Sequence, residues 1–421
     1  MTAAAQARPE PAIRPNLTLW LLSIAHAVNH AQAVLLPMVF LLIIKEFGVT
    51  VQAITFVAAA GAISAGFVQA SFAYLTRRVS RRSLMGVGGL LFGLGFAAQA
   101  AAPTFPAFAL TNVVSRVGGS PQHPVGNGLL AEQFPPERRG MAISAHISGG
   151  NVGTVVVAVF GPALLAVAGW RGVSIIFGVP AALVALAILR WVRESGADRA
   201  AAIAEGSVGS AFRVIWRDRT IRRVYLASVL GGGGRGLGVA NLFALIYLSH
   251  VLRLDEGLTN AMYGGLIVLS VPMPLVAGWL SDRFGRRPII VGAYVGGALG
   301  FLVFIAVGSS LLGLVIGLAI MGLFSFAESP QLQALLADVA STPLRDATFA
   351  LYFTLAFGVG SLWTAVYGGI IEALGETRGL PVVFVLMALS FLAAAVIMWP
   401  VRDPLSAEAS KARQVEPVES I

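Results

Sequence analysis

Cysteine is absent from the 421-residue chain, and charged residues make up only 12% of it. The lack of cysteine excludes disulfide bonds and thiolate metal sites, so redox chemistry says nothing about the compartment. The shortage of charge excludes a soluble globular protein, because 57% hydrophobic residues and a mean hydropathy of +0.81 exceed what a core of this size can bury. The composition therefore predicts an integral membrane protein in contact with the lipid bilayer.

Acidic residues are fewer than basic ones, which gives a net charge of +9 and a pI near 10.6. The basic residues fall in short clusters between apolar runs rather than along one amphipathic face, so we expect no nucleic acid partner. Arginine-rich loops alternate with arginine-poor ones, and the positive-inside rule places both termini and the rich loops in the cytoplasm of a cell inner membrane. The rich loops carry Arg77, Arg78, Arg81 and Arg82, then Arg138 and Arg139, then the segment 193–223, then Arg283, Arg286 and Arg287.

Apolar runs of about 20 residues, the length at which a helix crosses a bilayer, recur along the chain and are too long for barrel strands. They predict an all-α integral membrane protein with twelve transmembrane helices. The predicted spans are 17–43, 50–75, 84–102, 106–131, 141–167, 171–192, 224–250, 258–280, 288–307, 310–336, 346–372 and 379–400.

The two halves of the chain share short sequence matches in the same order. "YLTRRVSRRS" at 74–83 aligns with "WLSDRFGRRP" at 279–288, and "SPQ" occurs at both 120–122 and 329–331. These matches predict a duplicated six-helix unit, hence two pseudo-symmetric bundles joined by the one long polar interior segment. The predicted parts are a cytoplasmic N-terminal tail (1–15), an N-terminal bundle (16–193), a cytoplasmic linker (194–220), a C-terminal bundle (221–401) and a cytoplasmic C-terminal tail (402–421). The N-terminal tail does not have the layout of a signal peptide, so we expect it to be retained.

The segment "GWLSDRFGRRP" at 278–288 resembles the loop signature G-x-L-x-D-R-x-G-R-R of the major facilitator superfamily. The resemblance implies the two-bundle major facilitator fold and a transporter rather than an enzyme. It also implies a conformational latch in which Asp282, Arg283 and Arg286 lie near Asp338. The first-half copy has Arg77 in place of the aspartate, so the resemblance does not extend to ion pairing there.

A longer segment, "QHPVGNGLLAEQFPPERRGMAISAHISGGNVGTVVVAVFGP" at 122–162, resembles the fosmidomycin-resistance branch of that superfamily, as does Gln32 followed by Leu36-Pro37. This resemblance implies drug efflux. The branch commonly has an aspartate in its first span, where this chain has His30 or a neighbour, so its coupling chemistry does not carry over. The glycines after Asn151 resemble the antiporter signature of the superfamily, although close helix packing explains them equally well.

Polar residues at membrane depth are the candidate functional residues, since each is costly in hydrocarbon without a partner or an aqueous cavity. His26, Asn29 and His30 share one face of the first span, which favours a cavity lining over helix-packing contacts. Arg116 and His123 lie two turns apart on the fourth span, although Arg116 is also close enough to a helix end to reach the interface. The predicted substrate-binding residues are His26, Asn29, His30, Arg116, Gln122, His123, Asn151, Arg235 and Gln331.

Arg235 lies in "GGGGRGLG", inside the seventh span, and must face a carboxylate or an anionic substrate. We expect it to bind substrate, with a permanent ion pair to Glu328 as the alternative. Glu328 is the predicted proton-coupling residue, followed by His30 and His123. The glycine run lacks the strand and the lysine of a nucleotide-phosphate loop, so it predicts a kink or close helix contact instead.

These residues predict a secondary active transporter with alternating access that exports a small polar or anionic organic compound by proton-coupled antiport. The alternative is proton-coupled uptake of a small organic anion such as a carboxylate. A membrane sensor or enzyme would need a soluble domain or a ligand spacing such as His-Glu-x-x-His, which the sequence lacks. We therefore expect a monomer without cofactor or metal site.

Overall fold

The computed structural model describes residues 12–195, 197–360 and 362–403, so most of both predicted tails lies outside the described residues. Within these ranges the regular structure is helical. The α-helices are α1 (Pro15–Phe47), α2 (Val51–Leu75), α3 (Arg81–Ala98), α4 (Phe105–Gly118), α5 (Pro124–Gln133), α6 (Pro136–Trp191), α7 (Ala197–Ala204), α8 (Val208–Arg217), α9 (Arg219–Gly231), α10 (Asn241–Ile246), α11 (Glu256–Leu269), α12 (Pro272–Phe284), α13 (Arg286–Ala306), α14 (Leu311–Ser325), α15 (Glu328–Val339), α16 (Arg345–Phe353), α17 (Leu362–Leu374) and α18 (Glu376–Met398).

The described residues contain nine helices long and apolar enough to cross a membrane, and a tenth if one bent pair is counted. The difference from the twelve predicted spans has local causes. Gly169, with φ 62° and ψ 175°, turns the chain inside α6, which therefore holds the fifth and sixth predicted spans. The fourth span is divided into α4 and α5 by a short 3-10 turn at Ser120–Gln122, and the seventh bends by 41° around Arg235.

Helix ends follow the chemistry of single residues. The hydroxyl of Thr50 accepts the Ala53 amide at the start of α2, and Ser80 caps α3 in the same way. Gly48 ends α1 in the left-handed conformation, with φ 63°. Pro121 and Pro124 lie in the interrupted fourth span, where each lacks an amide donor for a continuous helix.

The spans form two six-helix bundles, α1–α6 and α9–α18. In the first bundle, α1 crosses α6 at Gly149 and Gly153, where the backbone of Ser23 and Ala27 leaves no space for a side chain. The second bundle packs around buried aromatic rings such as those of Phe301 and Phe384, whose centroids are 6.3 Å apart.

The linker between the bundles contains the short helices α7 and α8. Ala211 and Ile215 lie one turn apart on α8 and are buried, whereas Val214 and Trp216 are exposed. This amphipathic spacing explains why the linker, although polar in overall composition, still forms a helix that packs on the bundles.

Candidate functional site

A cavity of about 600 Å³ lies between the two bundles. Its walls come from α2, from the interrupted fourth span, from Asn29 of α1 and from the π-helical turn Thr354–Val359. Rings of Phe67, Phe92 and Phe357 supply apolar wall. The polar side chains that line the cavity are those of Asn29, Gln69, Arg116, Ser120, His123 and Thr354.

An ion-pair network, which we call latch A, ties the bundles together at the arginine-rich end. Arg286 and Arg139 both bind Asp338, at 2.9 and 3.0 Å. Asp282 pairs with Arg286 and accepts the amide N–H groups of Gly140 and Met141 from the other bundle, at 2.9 and 2.8 Å. Latch A thus joins the ends of α12, α13 and α15 to the start of α6.

The predicted latch residue Arg283 lies outside latch A. Its side chain is exposed and its guanidinium lies 5.7 and 5.8 Å from the ring centroids of Trp279 and Phe284. Arg139 takes its place as the second cation on Asp338. The sequence signature did not identify Arg139, because this residue comes from the other half of the chain.

A second network, latch B, occupies the corresponding place in the other half of the repeat. Arg81 binds Glu132 at 2.8 Å and both Asp346 and Asp198 at 2.9 Å. Asp198, on linker helix α7, also binds Arg345 at 2.7 Å. Because Arg77 stands where the second half has an aspartate, the linker supplies a carboxylate that this half of the repeat lacks.

Between the latches and the cavity, uncharged side chains form further hydrogen bonds between the two bundles. Asn127 donates to Gln333 at 2.6 Å, Gln331 donates to Ser144 at 3.0 Å, and Asn151 donates to the carbonyl of Ser270 at 2.7 Å. In the described part of the chain, hydrogen bonds between the bundles reach no farther from the arginine-rich end than this last one. The structure is therefore closed at the arginine-rich end, and two predicted substrate residues, Asn151 and Gln331, connect the bundles there.

The predicted substrate residue Arg235 forms an ion pair with Glu328 at 3.2 Å. Its guanidinium also donates to the carbonyl of Ala356 at 3.3 Å and to Ser228. The second carboxylate oxygen of Glu328 accepts the hydroxyl of Tyr294 at 3.4 Å. The pair lies within the second bundle, and Arg235 is not among the residues that line the cavity.

Arg116 presents the opposite case. It lines the cavity, and it forms no ion pair or hydrogen bond within the described residues. Its aliphatic stem packs beside Gly61 of α2, where an added Cβ would lie 3.0 Å from the Arg116 Cγ. A guanidinium cannot lose its charge at neutral pH, so Arg116 supplies an uncompensated positive charge to the cavity.

Four of the five histidines converge in the first bundle. The ring centroid of His26 lies 4.5 Å from that of His30, 4.8 Å from that of His123 and 4.4 Å from that of His146. His26 is completely buried, while His123 reaches the cavity wall and stacks on Phe353 with centroids 5.1 Å apart. The predicted face of His26 and His30 is thus turned into the bundle, toward α6.

Sequence reasoning left some of the surrounding residues out of the site. His146 of α6 stacks on His26 although its spacing in the sequence gives no sign of this contact. Gln69 is a polar residue within an apolar run, which is the signal that could have found it. Phe357 carries no such signal, since it is an aromatic residue in an apolar span. Conversely, the predicted Gln122 is buried and donates to the carbonyl of Leu22 at 3.1 Å, away from the cavity.

Comparison with solved structures finds the same fold in other transporters. The proton:xylose symporter XylE bound to 6-bromo-6-deoxy-D-glucose has a TM-score of 0.77 at 13% sequence identity, covering 92% of this chain and 96% of that one. FucP in the outward conformation has a TM-score of 0.75 at 16% identity, covering 91% and 97%.

Sequence comparison finds relatives that are named as resistance or transport proteins. A chloramphenicol resistance protein of Streptomyces lividans is 27% identical over 86% of this chain and 90% of the relative. Sugar efflux transporter A of Dickeya chrysanthemi is 28% identical over 38% of this chain and 39% of the relative.

The sequence profile described as Major Facilitator Superfamily matches residues 22–269 and 224–420, which together span nearly the whole chain. The match agrees with the all-helical fold, the two bundles and the cavity between them. The chain therefore belongs to the Major Facilitator Superfamily of membrane transporters.

Proposed function

We propose that the protein is a proton-coupled secondary transporter that exports a small anionic or polar organic compound by alternating access. The observation that carries this proposal is the unpaired Arg116 in a cavity of about 600 Å³ between two bundles. That volume lies in the range of small-molecule sites. Alternating access requires one end of such a cavity to be closed while the other can open.

The two latches support this cycle. Both lie at the arginine-rich end, which we place in the cytoplasm because of the positive-inside rule. The structure then corresponds to a state closed toward the cytoplasm. Opening on that side requires the bundles to separate at latch A and latch B, with the charged groups becoming hydrated as they part.

The charge of Arg116 favours an anionic substrate. A guanidinium binds a carboxylate, phosphonate or phosphate with two parallel hydrogen bonds, and the low polarity of the surrounding wall strengthens the attraction. The rings of Phe67 and Phe357 offer apolar surface for the rest of the molecule. We therefore infer a compound with one anionic group and a small organic body.

Export is the favoured direction because the segment 122–162 resembles the fosmidomycin-resistance branch and because relatives include a resistance protein and a sugar efflux transporter. The coupling proton is assigned to Glu328, whose partner Arg235 is held in the same bundle. Proton-coupled uptake of a carboxylate remains the alternative, since the same groups operate in either direction.

Ligand-induced thermal stabilisation of the purified protein tests the substrate class. The probes are fosmidomycin, a phosphonate, and L-galactonate, a sugar acid, with chloramphenicol as an uncharged probe. A ligand at 100 times its dissociation constant stabilises the folded state by about 2.7 kcal/mol. We expect an anionic probe to stabilise the wild type and Arg283→Ala but to lose at least about 10-fold in affinity with Arg116→Ala, which corresponds to about 1.4 kcal/mol.

Arg283→Ala is the matched control because it removes an exposed arginine outside both latches. An unchanged affinity in Arg116→Ala would contradict the substrate role of Arg116. Proteoliposomes with imposed proton gradients of either sign then decide the direction. Accumulation of substrate in the compartment into which the protons flow would overturn the export assignment in favour of uptake.

A further inference from the structure

We propose that His26, His30 and His123 form a binding site for one first-row divalent metal ion of the zinc type at the edge of the cavity. One ring nitrogen from each residue lies within 4.8 Å of the other two. A tetrahedral zinc site with Zn–N bonds of 2.0–2.1 Å holds its nitrogens about 3.4 Å apart. The ring nitrogens therefore need to approach one another by up to about 1.4 Å, through rotations about their side-chain bonds.

The hydrogen bonds of the rings leave the inner nitrogens available. His26 donates its Nδ1–H to the carbonyl of His146 at 2.8 Å, since a carbonyl can only accept. The Nδ1 of His30 lies 3.2 Å from the hydroxyl of Thr154, which can accept in the same way. In metal sites, the N–H on the second ring nitrogen of a histidine ligand commonly donates to such a carbonyl or hydroxyl oxygen, which fixes the tautomer and the ring orientation.

The buried nitrogens have no other partner. The Nε2 of His26 and the Nδ1 of His123 are buried without a hydrogen bond within the described residues. A buried ring nitrogen without a hydrogen-bond partner destabilises the folded state. One metal ion accepts the lone pairs of all three rings at once.

The ligand chemistry selects the ion. Imidazole nitrogens suit zinc, copper, iron and nickel, whereas magnesium, calcium and manganese prefer oxygen ligands. The chain has no cysteine that could make the site soft, and the buried Glu328 is held by Arg235 in the other bundle. Three imidazoles leave one coordination position free, and His123 places that position next to the cavity.

The sequence indicated no metal site, because the third ligand, His123, is far from His26 and His30 in the sequence. His30 and His123 are 93 residues apart and no local ligand motif joins them. The packing of α1 against the interrupted fourth span and α6 brings the rings together. The inference also stands apart from the transport proposal, since metal binding is measured on the purified protein without substrate.

Zinc binding to the full-length protein in detergent tests the proposal, with an affinity tag that contains no histidine. The metal is first removed with a chelator, and zinc is then titrated against a competing indicator. We expect one zinc ion per chain for the wild type and for the control His250→Ala, which removes the exposed fifth histidine. His30→Ala removes a ligand and should weaken binding by at least about 100-fold, more than loss of an outer-shell partner does.

Thr154→Val provides a second variant that keeps the side-chain shape and all three rings. It should weaken zinc binding by about 10- to 100-fold, as expected for an outer-shell partner, and Thr154→Ser should restore it. Cobalt(II) in place of zinc should give the strong visible absorption of a tetrahedral site, lost in His30→Ala. Failure of the wild type to retain one ion, or equal affinity in the wild type, Thr154→Val and His30→Ala, would overturn the proposal.

Discussion

The two membrane-embedded arginines differ in what neutralises them. Arg235 lies against the buried carboxylate of Glu328, whereas Arg116 faces the cavity without an ion pair in the described residues. A charge left alone at this depth is costly, so a fixed pair and an open cavity are the two ways to keep an arginine there. This difference moves the proposed substrate contact from Arg235, which the sequence suggested first, to Arg116.

The pair of Arg235 and Glu328 predicts strongly coupled effects on stability. Arg235→Ala and Glu328→Ala should each lower the free energy of unfolding by about 3–5 kcal/mol, because each leaves an unpaired buried charge. The double variant should recover much of the loss. Thermal unfolding of the four purified proteins measures this coupling, and strictly additive losses would show that the pair does not form.

Glu328→Gln separates proton coupling from folding. The amide keeps the size of the carboxyl and can still bond to Arg235 and Tyr294, but it does not titrate. We expect proteoliposomes with this variant to exchange substrate down its gradient and to lose accumulation driven by a proton gradient. Accumulation at the wild-type level would remove Glu328 from the coupling role.

At the scale of elements, the crossing of α1 and α6 depends on glycine. A Cβ at Gly153 would overlap the carbonyl group of Ala27, and backbone cannot move aside as a flexible side chain can. Gly292 of α13 has nothing within 4 Å of its Cβ position. Gly153 and Gly292 are both helical but differ in the space around them, so Gly292 is the control position for a Gly→Ala substitution at Gly153.

Gly153→Ala should destabilise the protein by more than about 2 kcal/mol through overpacking, whereas Gly292→Ala should be neutral or stabilising by up to about 1 kcal/mol through helix propensity. Thermal unfolding in detergent compares the two. Equal melting temperatures would mean that α1 and α6 do not pack closely at Gly153.

We expect the linker helix α7 to contribute to gating through Asp198. This carboxylate binds Arg81 of the first bundle and Arg345 of the second, so its loss should weaken the closed state. We expect Asp198→Asn to increase the labelling of a cysteine at the buried Ser144, which lies between the bundles below latch A. The chain has no cysteine of its own, so this label has no background.

The matched control is Glu205→Gln, which changes an exposed carboxyl of the same linker that forms no ion pair in the described residues. Its labelling at Ser144→Cys should equal that of the parent. If Asp198→Asn also left the labelling unchanged, the linker would have no part in holding the bundles closed.

At the scale of the whole molecule, the alternation of arginine-rich and arginine-poor ends predicts the orientation in the membrane. Glu205 is exposed on the arginine-rich side, and unlike Ser207 it does not cap a helix. Ser309 is exposed in the connection between α13 and α14 at the other end. We expect an impermeant thiol reagent added to intact cells to label Ser309→Cys but not Glu205→Cys, and the reverse pattern would invert the topology.

The helices, their approximate ends and the pairing of two halves followed from the sequence, because they depend on local properties. A run of about 20 apolar residues must satisfy its own backbone hydrogen bonds as a helix in lipid, whatever surrounds it. The motif at 278–288 identified the family for the same reason, since its residues are contiguous. The glycine run before Arg235 predicted a kink or a close helix contact, and the seventh span bends by 41° there. The size of such a bend depends on how neighbouring helices satisfy the freed backbone groups.

The contacts of the candidate functional residues were decided by the tertiary structure alone. Whether an arginine meets a carboxylate or a cavity depends on the rotation of each helix about its axis. A membrane helix is apolar on all of its faces, so its sequence pattern does not specify this rotation. The same rotation turned His26 and His30 toward His146, a residue more than 100 positions away, and placed Arg139 rather than Arg283 on Asp338. The sequence determined a two-bundle membrane transporter, while helix packing over long chain separations determined which of its polar residues meet.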